Sequence, residues 1–284
     1  MGLKKFYIGA LAGVASLALV ACSDSATPVE GTKDKSDTQL VEVFNKAMER
    51  QESLESLSSK VSMEQEITAT EDGEELKVTS STNIDMSMTL DPVAFYVDGE
   101  MAYDMNDGSG ALETPLKMYY TEADGYYVYD SETWLKLPSE LYEDMLGQAG
   151  ANIDATEQLK QLKPFLSDFT FEQNDSSYIL TLKAKGEKFN DLMQDQLGSS
   201  LDLETLEIES VEDIDFENAK WIITIDKKTF DITKFDLDFV LNMEIEGLVT
   251  KISTVTTATY SDFNKAAAIT IPKDVIENAI ESEF

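Results

Sequence analysis

Phe235-Asp-Leu-Asp-Phe-Val-Leu-Asn-Met-Glu-Ile-Glu246 places an apolar side chain at every second position, and only Val240 breaks the alternation. Leu76-Lys-Val-Thr-Ser-Ser-Thr-Asn-Ile-Asp-Met-Ser-Met-Thr-Leu90 reads almost the same way, with Leu76, Val78, Ile84, Met86, Met88 and Leu90 on one parity. Period two over such lengths means β-strands with one apolar and one wet face. At about 3.3 Å per residue, Leu76 to Leu90 spans roughly 50 Å. Strands that long belong to strongly bent sheets more often than to compact sandwiches.

Turn chemistry extends the sheet outward from these two strands. Asp72-Gly73, Asp98-Gly99, Asp107-Gly108 and Asp124-Gly125 separate apolar runs, and Asp-Gly is a strong hairpin signal. Val61 to Leu137 therefore reads as an antiparallel meander. Asp226-Lys-Lys-Thr marks a further turn between Trp221–Ile225 and Ile232–Ile245, and Lys251–Tyr260 adds a Thr-rich strand. No βαβ alternation is present.

Helical patterns interrupt the strands. Leu40, Val43, Phe44, Ala47, Met48 and Leu54 recur at helical spacing, and Ser36 and Gln39 have capping-box spacing. Ser139–Gln148 sets Leu141, Tyr142, Met145 and Leu146 on one side. Asp154 and Glu157 precede Leu159, Leu162, Phe165 and Leu166, again with capping-box spacing. A short helix is also expected over 187–197, residues 199–219 read as acidic loop with some strand, and Asp274 is placed to cap a last helix.

The N-terminus specifies location. Lys4 and Lys5 precede an apolar run, Tyr7–Ala21, that ends at Cys22, the single cysteine. A basic start, a short apolar core and a small residue before the cut describe a secretory leader. The run is short for a membrane-spanning helix, which needs about 20 apolar residues. Leu19-Val-Ala-Cys22 matches the lipobox, so the chain resembles a bacterial lipoprotein here. That resemblance implies cleavage before Cys22, diacylglycerol on its sulfur, and a lipid-anchored position on the extracytoplasmic face of the cell membrane. Residues 1–21 are then the leader, 22–36 the lipidated cysteine with a flexible polar tether, and 37–284 one domain.

Composition narrows the chemistry. The chain has 55 Asp+Glu against 22 Lys+Arg and no His, a net charge of −33; loss of Lys4 and Lys5 with the leader makes it −35. Such a surface repels nucleic-acid phosphates and anionic lipid headgroups. Membrane attachment must then come from the lipid on Cys22. With no second cysteine, no disulfide forms within the chain. No histidine, nucleophile elbow, phosphate loop or cofactor motif is present, and no enzyme activity is expected. Asp104-Met-Asn-Asp-Gly108 resembles the opening of a calcium loop, but its glycine comes one position early and no closing glutamate follows. It reads as a solvated hairpin tip. Tyr96, Tyr103, Tyr119, Tyr120, Tyr126, Tyr127, Tyr129 and Tyr142 crowd one stretch. Tyrosine suits surfaces that are apolar but wet at one edge.

An N-terminal amphipathic helix leading into long strands resembles the LolA/LppX-like lipoprotein-carrier superfamily, in its uncharacterised Gram-positive branch. So do the hairpin Ile223-Thr-Ile-Asp226-Lys-Lys-Thr229-Phe-Asp-Ile232-Thr-Lys234 and the ending Tyr260-Ser-Asp-Phe-Asn264 with Ile269-Thr-Ile-Pro272. The resemblance implies a mainly β (α+β) half-barrel: one highly curved antiparallel sheet with helices covering its concave face, and acyl chains held between. On that reading Ile84, Met86, Met88, Leu237, Phe239, Leu241 and Met243 share the concave side, opposite Leu141, Tyr142, Met145 and Leu146. The ligand is a lipid or another apolar or amphiphilic molecule. The alternative from another class is a structural or interaction lipoprotein with a packed interior. No protein partner is legible.

Overall fold

The computed structural model describes residues 25–71, 73–130, 132–138, 155–184, 214–245 and 248–282. They form one open 13-stranded sheet, ordered β1-β8-β9-β10-β11-β12-β2-β3-β4-β5-β6-β7-β13. Two meanders lie side by side. One runs through β2 (Ser56–Glu71), β3 (Glu74–Leu90), β4 (Val93–Asp104), β5 (Leu112–Thr121), β6 (Gly125–Asp130) and β7 (Thr133–Lys136). The other runs through β8 (Thr170–Gln173), β9 (Ser177–Ala184), β10 (Ile214–Asp226), β11 (Ile232–Ile245) and β12 (Leu248–Ser261). Antiparallel pairing of β12 with β2, from Val249 opposite Thr70 to Ser261 opposite Ser58, joins them.

The sheet is mixed rather than purely antiparallel. At one edge β1 (Thr27–Pro28) pairs parallel to β8, and at the other β13 (Ile280–Glu281) pairs parallel to β7. Both termini thus cover edges that would otherwise present unpaired backbone groups.

Residues 25–36 are not the free tether that their polar composition predicts. The buried Gln173 amide donates to the Ala26 carbonyl at 2.8 Å and the Ser36 carbonyl at 2.9 Å, and its Oε1 accepts from Ser36 N–H at 2.8 Å. Lys33 and Asp34 N–H donate to Asp175 Oδ1. These bonds hold the Asp175 carboxyl below the usual carboxylate range, the Asp34 N–H contributing most. A segment poor in apolar residues is held here by long-range hydrogen bonds, which composition does not reveal.

Helix α1 (Leu40–Glu52) carries the predicted stripe, with Val43, Phe44 and Ala47 at 0 % exposure. Its capping box does not form: Gln39 is the N-cap without a side-chain bond, and the Ser36 hydroxyl lies 2.7 Å from that of Thr38 and accepts from Tyr178. Arg50 Nε donates to the buried Asp231 carboxylate at 2.6 Å, tying the helix end to the strand start after the β10–β11 turn. Helix α2 (Ala155–Leu162) continues into a 3₁₀ turn, Lys163–Asp168, where Pro164 lacks the N–H that another α-helical turn uses. The predicted helices over 139–148 and 187–197 lie outside the described residues. Helix α3 (Lys273–Asn278) starts after Pro272, with Asp274 in its first turn rather than capping it.

Asp107-Gly108 and Asp124-Gly125 fall at hairpin tips, and Gly73 lies between β2 and β3. Asp98-Gly99 is at no tip: it lies inside β4, and the chain reverses instead at Asp91-Pro92, where the Thr89 hydroxyl donates to the Pro92 carbonyl. Gly99 is needed for space. A Cβ there would overlap the Asn83 carbonyl oxygen and lie 2.7 Å from Ile84 Cγ2.

Candidate functional site

Cross-strand register shows which side chains share a face, since directly opposed residues point the same way. One row reads Phe235–Ala258–Val61–Ile84–Gly99–Leu116 across β11, β12, β2, β3, β4 and β5. The next reads Tyr260–Ser59–Met86–Val97–Met118–Val128 from β12 to β6. Ile84, Met86, Met88, Leu237, Phe239, Leu241 and Met243 therefore lie on one face of the sheet, hereafter the apolar face. They do not form one cluster.

Leu237, Phe239, Leu241 and Met243 pack into a core made by β8–β11 with α1 and α2. There Val43, Phe44, Leu159 and Leu162 meet Leu180, Leu182, Trp221 and Ile223. Of the four β11 residues, Leu241 is buried, while Leu237, Phe239 and Met243 are half-buried against this core. Ile84, Met86 and Met88 belong to a second cluster with Phe95, Val97, Met118, Tyr120, Tyr126 and Val128. Among the described residues, the members of that cluster come from β3–β6, with Leu137 just after β7, and no helix contributes. Strands β12 and β2 lie between β11 and β3 in the sheet, with Ile252 and Tyr260 of β12 packed against the first cluster. Leu141, Tyr142 and Met145, expected opposite, lie outside the described residues, as does Cys22.

The second cluster has an aromatic centre. Phe95 stacks on Tyr120 at 5.4 Å and meets Tyr126 edge-on at 5.7 Å. The Tyr126 hydroxyl donates to Met118 Sδ at 3.1 Å. Burial raises the Tyr126 phenol above its ordinary pKa, and burial does the same to Tyr260 on β12. Both stay neutral at physiological pH. Phe95, Val97, Met118, Tyr120 and Tyr126 were absent from the predicted site, although Phe95-x-Val97, Met118-x-Tyr120 and Tyr126-x-Val128 carry the same alternation over shorter runs. The tyrosine-rich stretch is divided by parity. Tyr96, Tyr119 and Tyr127 face the other way, where Ile271 and Val275 pack on Tyr127. Burial, with the hydrogen bond to Asp98 second, raises the Tyr96 phenol strongly.

The opposite face is polar. A hollow of about 570 Å³ opens there around Gly99, lined by Lys60, Asn83, Asp85, Asp98 and Glu100 among others. Lys60 and Asp85 pair at 2.6 Å across it. Four of its lining side chains, Lys60, Asp85, Asp98 and Glu100, are charged, and they stand beside Val61 and Ile84. The loop Asp104–Gly108 uses its carboxylates internally: Asp104 Oδ1 accepts from Asn106 N–H and Asp107 Oδ1 from Ser109 N–H. Among the described residues no acidic, histidine or cysteine cluster could hold a metal ion. No described helix is long and apolar enough to cross a membrane.

This architecture defines a predominantly β protein built on one open mixed sheet. The chain belongs to a family described as "Family of unknown function (DUF6612)", whose model matches residues 39–280. No curated protein matches it. Among solved structures it is similar to a DUF1329 family protein from Desulfovibrio piger, at 8 % identity over 81 % of this chain and 95 % of that one, with a TM-score of 0.23. It is also similar to a β-barrel-like protein of domain of unknown function DUF1849 from Brucella abortus, at 8 % identity over 72 % of this chain and 98 % of that one, with a TM-score of 0.17. At those scores neither superposition carries an argument about this chain.

Proposed function

We propose that this protein is a lipid-anchored, extracytoplasmic binding protein of the lipoprotein-carrier type, holding an apolar or amphiphilic ligand against the apolar face of β3–β6. The observation that carries the reading is the contrast within that face. One half is filled by side chains of α1 and α2, while the other presents Met86, Met88 and Met118 around Phe95, Tyr120 and Tyr126 with no described helix in the cluster. Methionine repacks around varied apolar partners, and tyrosine adds a wet edge. Burial of hydrocarbon on such a surface contributes roughly 25 cal/mol per Å², offset by ordering costs.

The anchor follows from Cys22 and the leader before it. Two residues lie between Cys22 and Ser25, so at most about 10 Å of extended chain joins them. Because 25–36 is bonded along β8, the lipid would hold the β8 edge close to the bilayer instead of letting the body drift on a long tether. Two measurements test the proposal. Cys22→Ala should move the protein out of the membrane fraction or leave it unprocessed. Native mass spectrometry of detergent-free protein should show co-purifying lipid that Met86→Asp abolishes while the fold is retained by circular dichroism. A processed, tightly membrane-bound Cys22→Ala protein would remove the anchor, and a wild-type protein that never carries or takes up lipid would remove the ligand.

A further inference from the structure

Between its two hydrophobic clusters the apolar face carries polar side chains, and all of them are neutral. Along β2 the residues on this face are Leu57, Ser59, Val61, Met63, Gln65, Ile67 and Ala69; along β12 they include Thr250, Thr254 and Thr256. Strand β3 adds Ser80 and Thr82. Short of the hairpin turn at Glu71 and Glu74, no charged residue lies on this face of β2–β5, β11 or β12. That is unexpected by chance in a chain with 55 Asp+Glu. The lysines of these strands project from the opposite face, where Lys60, Lys77, Lys117, Lys234 and Lys251 pair with Asp85, Glu66, Asp98, Asp236 and Glu217. No cation on these strands is available to an anionic headgroup on the apolar face.

Two of the neutral groups have no partner. Ser59 is 3 % exposed, and neither its Oγ nor the buried Thr82 Oγ1 makes a hydrogen bond. Ser59 sits between Tyr260 and Met86 in register, and Thr82 sits between Met63 and Met101. Ser59 thus borders the β3–β6 cluster through Met86, and Thr82 adjoins it through Ile84, two residues along β3. Along the strands they are four residues apart, about 13 Å. Buried hydroxyls left unpaired are uncommon and destabilising, so each calls for an explanation. By contrast, Gln65 Nε2 on the same face donates to Thr254 Oγ1 at 3.2 Å.

We infer that the ligand is an uncharged amphiphile whose hydroxyl or ester head hydrogen-bonds Ser59 or Thr82, too far apart for one head to reach both, while its hydrocarbon lies along the β3–β6 cluster. The inference rests on the binding function proposed above and narrows its ligand class. A carboxylate or phosphate on this face would lose its hydration and find no cation. A hydroxyl or ester head loses less and recovers it from the hydroxyl it meets.

Equilibrium dialysis of the full chain against radiolabelled 1-monooleoylglycerol and oleate, which share one acyl chain, tests this at about pH 8, where the free fatty acid is ionised. Monooleoylglycerol should bind at least about tenfold more tightly. At least one of Ser59→Ala and Thr82→Val should weaken it by about fivefold while melting temperature is kept or raised. Oleate binding as tightly as monooleoylglycerol overturns the inference and leaves the binding function standing. So does unchanged monooleoylglycerol affinity in both variants, which would make the hydroxyls packing defects only. Failure of both amphiphiles to bind overturns the binding function itself. The wild-type comparison needs no variant to fold.

Discussion

The two halves of the apolar face start from the same strand pattern and end differently. On β8–β11 the alternating residues meet α1 and α2, and Phe44, Leu180, Leu182 and Ile223 become fully buried. On β3–β6 the alternating residues meet each other: Met88, Phe95, Val97, Tyr120 and Tyr126 are buried, and Ile84, Met86 and Met118 stay half-buried around that aromatic centre. The side chains differ to match. The first half uses Leu, Ile, Phe and Trp, which pack in defined rotamers, while the second relies on methionine and tyrosine, which adapt. One sheet thus supplies both a core that holds the fold and the surface proposed to receive a ligand.

The largest expected effect breaks this contrast directly. Phe44→Ala should destabilise the protein by about 4 kcal/mol, because it removes a fully buried ring from between helix and sheet. Met86→Ala, at a half-buried site, should cost about 1 kcal/mol while weakening lipid binding. Urea denaturation measures both. Equal losses would mean that β3–β6 is as tightly packed as β8–β11, and the comparison would collapse.

Arg50 sharpens it. Its guanidinium fixes the end of α1 to the buried Asp231 carboxylate. Arg50→Ala strands that carboxylate and should cost about 2 kcal/mol, somewhat less than a fully buried pair because Arg50 remains partly exposed. The loss should spare lipid affinity, since no member of the β3–β6 cluster touches the pair. A variant that loses both stability and affinity in proportion would show that the halves are coupled.

The smallest effect lies at the edge. The Asp175 carboxyl is held below its ordinary value by the Asp34 and Lys33 N–H groups. A depressed folded-state pKa stabilises at pH above the unfolded value, about 3.9, and that contribution disappears as pH falls through the lower folded value. Amide hydrogen-exchange protection at Lys33 and Asp34, measured against the intrinsic rate at each pH, should therefore fall on acidification below about pH 4, before that of the α1 amides. Asp175→Asn should reproduce the lost protection at neutral pH.

Much of this was legible in the chain alone. Period-two alternation assigned Leu76–Leu90 and Phe235–Glu246 to strands and placed their apolar side chains on one face, because side-chain direction along a strand is a local property. The 3.6-residue recurrence of Val43, Phe44 and Ala47 identified α1 for the same reason. Other features depended on partners far away in sequence. Gln173 lies 147 residues from Ala26, whose carbonyl it binds, so no composition rule could convert the polar stretch 25–36 from tether to edge strand. Gly99 carries a turn signature but sits in mid-strand, since what excludes a side chain there is the backbone of Asn83 on β3. Strand order set β12 and β2 between the two apolar groups that the alternation had joined. Alternation decides which way a side chain points; only the assembled sheet decides what it meets.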